Sequence, residues 1–144
     1  MPLLGAWNET GGSWTSDLYG TLRNVGLLEN SVVVRNPRGT SQLFFEHWGA
    51  RRNLFGPEWV ARARGRQVEE QPYYGLATWA ATSFRRAIAT REPTLETVRV
   101  GIQTAQRQTR QRHYDRLILP WQGQGGDMFA LSININRPAG RKAS

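Results

Sequence analysis

The chain has no cysteine. That absence excludes disulfides, thiolate zinc sites, a cysteine nucleophile and any chromophore that must bond to a thiol. It fits a reducing compartment. Histidine is nearly as scarce, with His47 and His113 the only two, far apart and without metal-ligand spacing. No segment approaches the ~18 consecutive apolar residues of a membrane-spanning helix. The opening Met1-Pro2-Leu3-Leu4-Gly5-Ala6-Trp7 lacks the basic start and apolar run of a secretion signal. These absences predict a cytoplasmic protein with no membrane partner.

What is present is arginine. Lys142 is the sole lysine, so the formal charge of +8 is almost entirely guanidinium. Clustered cations would favour phosphate contacts and nucleic acid. Here the arginines are spread along the chain, which favours a solvated basic surface of the kind a GC-rich genome encodes. Two concentrations stand out: Arg51, Arg52, Arg62, Arg64 and Arg66, then Arg107, Arg110 and Arg112. Either would serve to dock nucleic acid or an acidic protein. With 144 residues, 39% of them hydrophobic, the chain can bury the core of one compact domain.

Residues 1–14 are rich in Gly, Trp and polar groups and predict a loosely held lead-in. Trp7 and Trp14 within it could anchor a dimer, a partner or the chain's own sheet. Ser16-Asp17 offers a cap to a short helix carrying Leu18, Tyr19, Leu22 and Val25 at helical spacing, ending near Gly26. A β-branched run at 31–35, the turn Asn36-Pro37-Arg38-Gly39 and a second strand at 42–48 predict a hairpin. Gly56-Pro57-Glu58 opens a short helix with Trp59, Val60 and Ala63 on its apolar side, closed by Gly65. Pro72 makes 67–74 an irregular connector.

From Leu76 onward the periodicity is helical. Leu76, Trp79, Ala80, Ser83, Phe84, Ala87 and Ile88 form one stripe, which Pro93 ends. Val98, Val100 and Ile102 then alternate with Thr97, Arg99 and Gly101, the period of a strand. The polar run 104–111 predicts an exposed hairpin end. Two further strands, at 114–121 and 127–136, flank the turn at 122–126, with Phe129, Leu131, Ile133 and Ile135 on one face. There is no internal repeat.

This order predicts an α+β fold: one five-stranded antiparallel sheet with helices on one face, plus an N-terminal helix. Its parts would be an extension at 1–29, a domain at 30–137 and a frayed tail at 138–144. A cone-shaped α+β family also bends a sheet over helices, but it begins with helices before most of its strands.

Arg85-Arg86-Ala87-Ile88-Ala89-Thr90-Arg91-Glu92-Pro93-Thr94-Leu95-Glu96 resembles the junction of long helix and third strand in the PAS family, although Arg91 stands where glycine is frequent. Tyr114-Asp115-Arg116-Leu117-Ile118-Leu119-Pro120 is similar to the fourth strand of bacterial single-domain PAS proteins, and the turn 123–126 leads into a last strand of fitting length. The resemblance covers about residues 30–136. It implies a sensory or signalling module that binds a small molecule between sheet and helices, forms a homodimer, and relays its state to a partner protein in trans.

The residues limit that chemistry. A photochemical flavin adduct and a thiol-linked chromophore both need the missing cysteine. Haem is disfavoured because 76–90 contains no histidine. The cofactor stays unknown, with a noncovalent flavin, another planar ligand or an empty packed core all open. The expected pocket wall is Trp79, Ser83 and Phe84 from the helix with Val100, Leu117, Leu119 and Phe129 from the strands, Ser83 being its one polar group. The expected dimer contact is Leu18, Leu22 and Val25. No enzyme is expected: Asp115, Asp127 and Glu69-Glu70 form no acid–base pair, and Gly123-Gln124-Gly125-Gly126 precedes a strand rather than a phosphate-cradling helix. The leading expectation is ligand-modulated signalling through protein contact; a ligand-free scaffold and an arginine-mediated nucleic-acid binder are the alternatives.

Overall fold

A computed structural model describes residues 2–9, 11–24, 26–51, 57–71, 74–103 and 109–135. The chain runs through α1 (Pro2–Glu9), α2 (Ser16–Asn24), β1 (Ser31–Asn36), β2 (Phe44–Trp48), α3 (Pro57–Arg62), α4 (Tyr74–Thr90), β3 (Thr94–Gln103), β4 (Thr109–Gln122) and β5 (Met128–Ile135). The five strands form one antiparallel sheet in the order β2-β1-β5-β4-β3. The last strand therefore lies at the centre, joining the early hairpin to the late meander. Expectation and structure agree on this plan, and β3 and β4 are longer than their sequence signals. The expected tail lies outside the described residues, as do 104–108 at the β3–β4 connection.

Strand pleat sends alternate residues to opposite faces, and here both faces are covered. Val32, Val34, Ile118 and Ala130 join Leu43, Phe45, Trp59, Ala63, Val68 and the α4 residues Ala80, Ala81, Phe84 and Ala87 in one core. Val33, Leu117, Leu119, Trp121, Leu131 and Ile133 form a second core with Leu18, Leu22 and Leu28. The consecutive apolar runs Val32-Val33-Val34 and Leu117-Ile118-Leu119 follow from this double burial.

The lead-in is not loose. Residues 2–9 form α1, and Trp7 Nε1 donates to the Pro120 carbonyl. Trp14 N donates to Gln122 O at 2.8 Å and Gln122 N to Gly12 O at 2.6 Å, so 12–14 pair with the end of β4. That end is open because β3 pairs no further along β4 than Ile118. Trp14 stacks on Phe129, ring centroids 5.2 Å apart and planes 13° from parallel. The cap of α2 is Thr15, whose Oγ1 accepts from Leu18 N at 3.1 Å, where the sequence favoured Ser16-Asp17. At the far edge, 65–68 run alongside β2: Phe45 N donates to Arg66 O and Val68 N to Leu43 O.

Candidate functional site

The compartment between α4 and the inner sheet face is built by two periodicities. On α4, Trp79 and Ser83 lie one helical turn apart, with Phe84 beside Ser83, so all three share a side. On β4, residues 116 and 118 point to the same face and 117 and 119 to the other. Ser83 is 4% exposed and Phe84 2%, with Trp79 partly buried against the same core. Of the expected pocket wall these three are brought together.

The strand half of that wall needs correction. Leu117, Leu119 and Phe129 lie on the opposite face, under α2 and the N-terminal segment. A one-residue shift in the reading of a strand moves every side chain to the other face, and Ile118 and Ala130 are the residues that meet the helix. The side chain of Val100 lies outside the described residues; its backbone pairs with Arg112 in β3. The expected dimer contact is corrected too. Leu18 and Leu22 are 4% and 1% exposed in the chain's own outer-face core, so neither offers its side chain to a second copy, and Val25 lies outside the described residues.

Sequence reasoning missed the compartment's charged centre. Arg116 is 4% exposed although it carries a guanidinium. Its Cζ sits 4.2 Å from the centroid of the Trp79 ring and 5.6 Å from that of Phe84. Its Nη2 donates to Glu96 Oε2 at 3.2 Å, from the position directly across the ladder on β3. Burial pulls the Arg116 pKa below its ordinary value, while the Glu96 carboxylate acts in the opposite sense. Arginine nonetheless stays protonated in proteins. Its Nε–H is buried and meets no protein acceptor, and the buried Oδ1 of Asn134, the residue opposite it on β5, meets no protein donor. Unmet buried polar groups are costly, so each calls for a partner such as a water, an ion or a ligand. One signal was available: Arg116 precedes Ile118 by two in a strand covered on both sides.

The other candidate chemistries disperse. His47 Nε2 lies 2.6 Å from the Leu28 carbonyl, and His113 is exposed beside Arg99. Among the described residues no group of three or more His, Cys, Asp or Glu side chains could hold a metal ion, and no helix is long and apolar enough to cross a membrane. A solvent-open cleft of about 370 Å³ at the β2 edge is lined by Arg23, Glu46, His47, Trp48, Val60 and Arg64. Several arginines are engaged at home: Arg35 with Asp127 and Glu46, Arg51 with Glu29, Arg66 with Glu70, Arg85 with Glu69. Arg51 and Arg66 thus face carboxylates within the first sequence cluster, whereas Arg52 and Arg107, and the side chains of Arg110 and Arg112, lie outside the described residues.

No protein-family model and no curated protein matches the chain. Among solved structures it is similar to the PAS domain of Bordetella pertussis BvgS, with a TM-score of 0.55 and 13% identity over 84% of this chain and 89% of that one. It is also similar to a fungal LOV-domain photoreceptor, with a TM-score of 0.46 and 15% identity over 76% of each chain. The chain has a PAS-like fold.

Proposed function

We propose that this PAS-like chain is a sensory module whose input is a small molecule held between α4 and the inner sheet face, and whose output is contact with a partner protein. The observation that carries the reading is Arg116, a buried cation beneath Trp79 of α4 whose Nε–H meets no protein acceptor. A core built only for stability would place an aliphatic side chain there, since replacing buried ion pairs by apolar groups is often neutral or stabilising.

The same strand reaches both faces. Arg116 and Ile118 face the compartment while Leu117, Leu119 and Trp121 carry the N-terminal cover. A ligand that moves the backbone at Arg116 therefore shifts the seat of α2. The state is passed on as a change in how firmly α1, α2 and residues 12–14 are held. In this reading the module is not a catalyst; its partner is another protein in trans or a second copy engaged after the cover moves.

The test is direct. Freshly purified protein is weighed by native mass spectrometry, its spectrum is recorded, and it is then denatured to release any bound molecule. A released compound of defined mass, with slower amide exchange in α4 when it is added back, is the expected result. A bare-chain mass, a spectrum of tryptophan and tyrosine alone, and no thermal shift from a metabolite library would leave the ligand-free scaffold instead.

A further inference from the structure

We infer that the compartment takes a small organic carboxylate, and that Glu96 occupies the place of that carboxylate when the ligand is absent. This rests on the reading of the compartment as the input site and names what it recognises. A guanidinium offers Nε–H and Nη2–H along one edge, a fork that matches the two oxygens of a carboxylate. In Arg116 the fork is half used. Glu96 accepts from Nη2 alone, at 3.2 Å, and the Nε–H has no hydrogen-bond partner. The guanidinium is fixed where it is by Trp79 and Phe84, whose rings lie 4.2 and 5.6 Å from its Cζ.

Glu96 is suited to give way. It sits on β3, which among the described residues is an edge strand paired with β4 alone, and its side chain keeps 15% of its exposure against 5% for Arg116. A turn of that side chain brings its carboxylate to water. An incoming carboxylate then takes both donors of Arg116, and the compartment's charge is unchanged, one anion having replaced another. The exchange supplies the desolvation cost once rather than twice, because Arg116 is buried in either state. The ligand's apolar body would lie against the part of Trp79 that is not buried. The Oδ1 of Asn134, opposite Arg116 in the ladder and without a protein donor, suits a hydroxyl group next to the carboxylate. The class is therefore a small hydroxy acid with an apolar side.

The experiment titrates the whole chain with mandelate, benzoate and phenyllactate, each beside its neutral amide, and with inorganic phosphate, read by calorimetry and thermal shift. Expected is binding of at least one acid with its amide at least roughly tenfold weaker, the loss of one charge-assisted hydrogen bond. Glu96→Gln, which removes the resident carboxylate, strengthens that binding. Arg116→Lys, which keeps the charge but loses the fork, weakens it by roughly tenfold or more. Should Arg116→Lys fail to fold, Glu96→Gln and the comparison of acid with amide decide the matter. Equal binding of acid and amide, weaker binding in Glu96→Gln, a response to phosphate alone, or no response to any acid would each overturn the assignment. Release of an uncharged compound from purified protein overturns the carboxylate and leaves the input site standing; the two readings thus fail separately.

Discussion

Arg116 lies under Trp79, its guanidinium carbon 4.2 Å from the ring centroid, so the one deeply buried cation among the strand's described side chains is held by the helix's largest aromatic. A desolvated cation–π contact of this kind contributes about 2 kcal/mol. With Glu96 on the other side, it makes Arg116 the tie between α4 and the two strands β3 and β4.

Arg116→Ala should therefore lower stability by about 3 kcal/mol, the low end for breaking a buried ion pair, because Glu96 retains some water. The double variant Arg116→Met with Glu96→Leu should recover most of that loss. Urea unfolding followed by tryptophan fluorescence measures both, and a single variant as stable as the double would contradict the burial described.

Neighbouring residues of β4 should report on opposite faces. Ile118→Ala and Leu119→Ala both empty fully buried sites and should each cost about 2–5 kcal/mol. Hydrogen exchange separates them: Ile118→Ala should speed exchange along α4, and Leu119→Ala along α2 and at the Trp14 amide. The reverse assignment would mean the strand is turned by one residue.

Deletion of residues 1–26 should uncover the outer-face core of Leu117, Leu119, Leu131 and Ile133. The expected product binds hydrophobic dye and self-associates, by light scattering, more than the full chain does. If Leu18 and Leu22 instead formed a dimer contact, the same deletion would yield a smaller species.

Arg91→Gly should stabilise the fold by about 0.5–1 kcal/mol. Arg91 has φ 57 at the end of α4, where its amide donates to Ala87 O at 2.9 Å. That conformation costs an L side chain roughly 1–2 kcal/mol, against which stands the greater unfolded freedom of glycine. A fall in the melting temperature would show that the Arg91 side chain matters more than its backbone.

Gly49→Ala should cost about 3 kcal/mol, the upper end for overpacking. A Cβ on Gly49 would run into the carbonyls of Leu28 and Glu29, the backbone just before β1. Thermal unfolding checks this, and an unchanged midpoint would show that this backbone can give way.

The order of elements was legible because its stops are local. Pro93 ends α4, Gly39 turns the hairpin, and the stripe through Trp79, Ala80, Ser83 and Phe84 keeps one period. Arg91 even occupies, as a left-handed residue, the place where the resemblance expected glycine. Which face each strand residue takes was not legible. In Leu117-Ile118-Leu119 every position is apolar, so period two has nothing to alternate against, and the wall was assigned to the wrong pair. The N-terminal cover was hidden for another reason. Trp7 and Trp14 show no periodicity of their own, and what fixes them is a carbonyl at Pro120 and a ring at Phe129. Arg116 was passed over because arginine in an arginine-rich chain reads as surface.

The link between Trp7 and Pro120 spans 113 residues, and the strand that completes the middle of the sheet is the last one made. On a ribosome adding roughly 5–20 residues per second, α1 and α2 emerge on the order of ten seconds before their seat exists. Through that interval the nascent chain carries Leu18, Leu22 and two tryptophans with nothing native to bury them against, which is a task for a chaperone and a reason for this domain to assemble only once β5 has emerged.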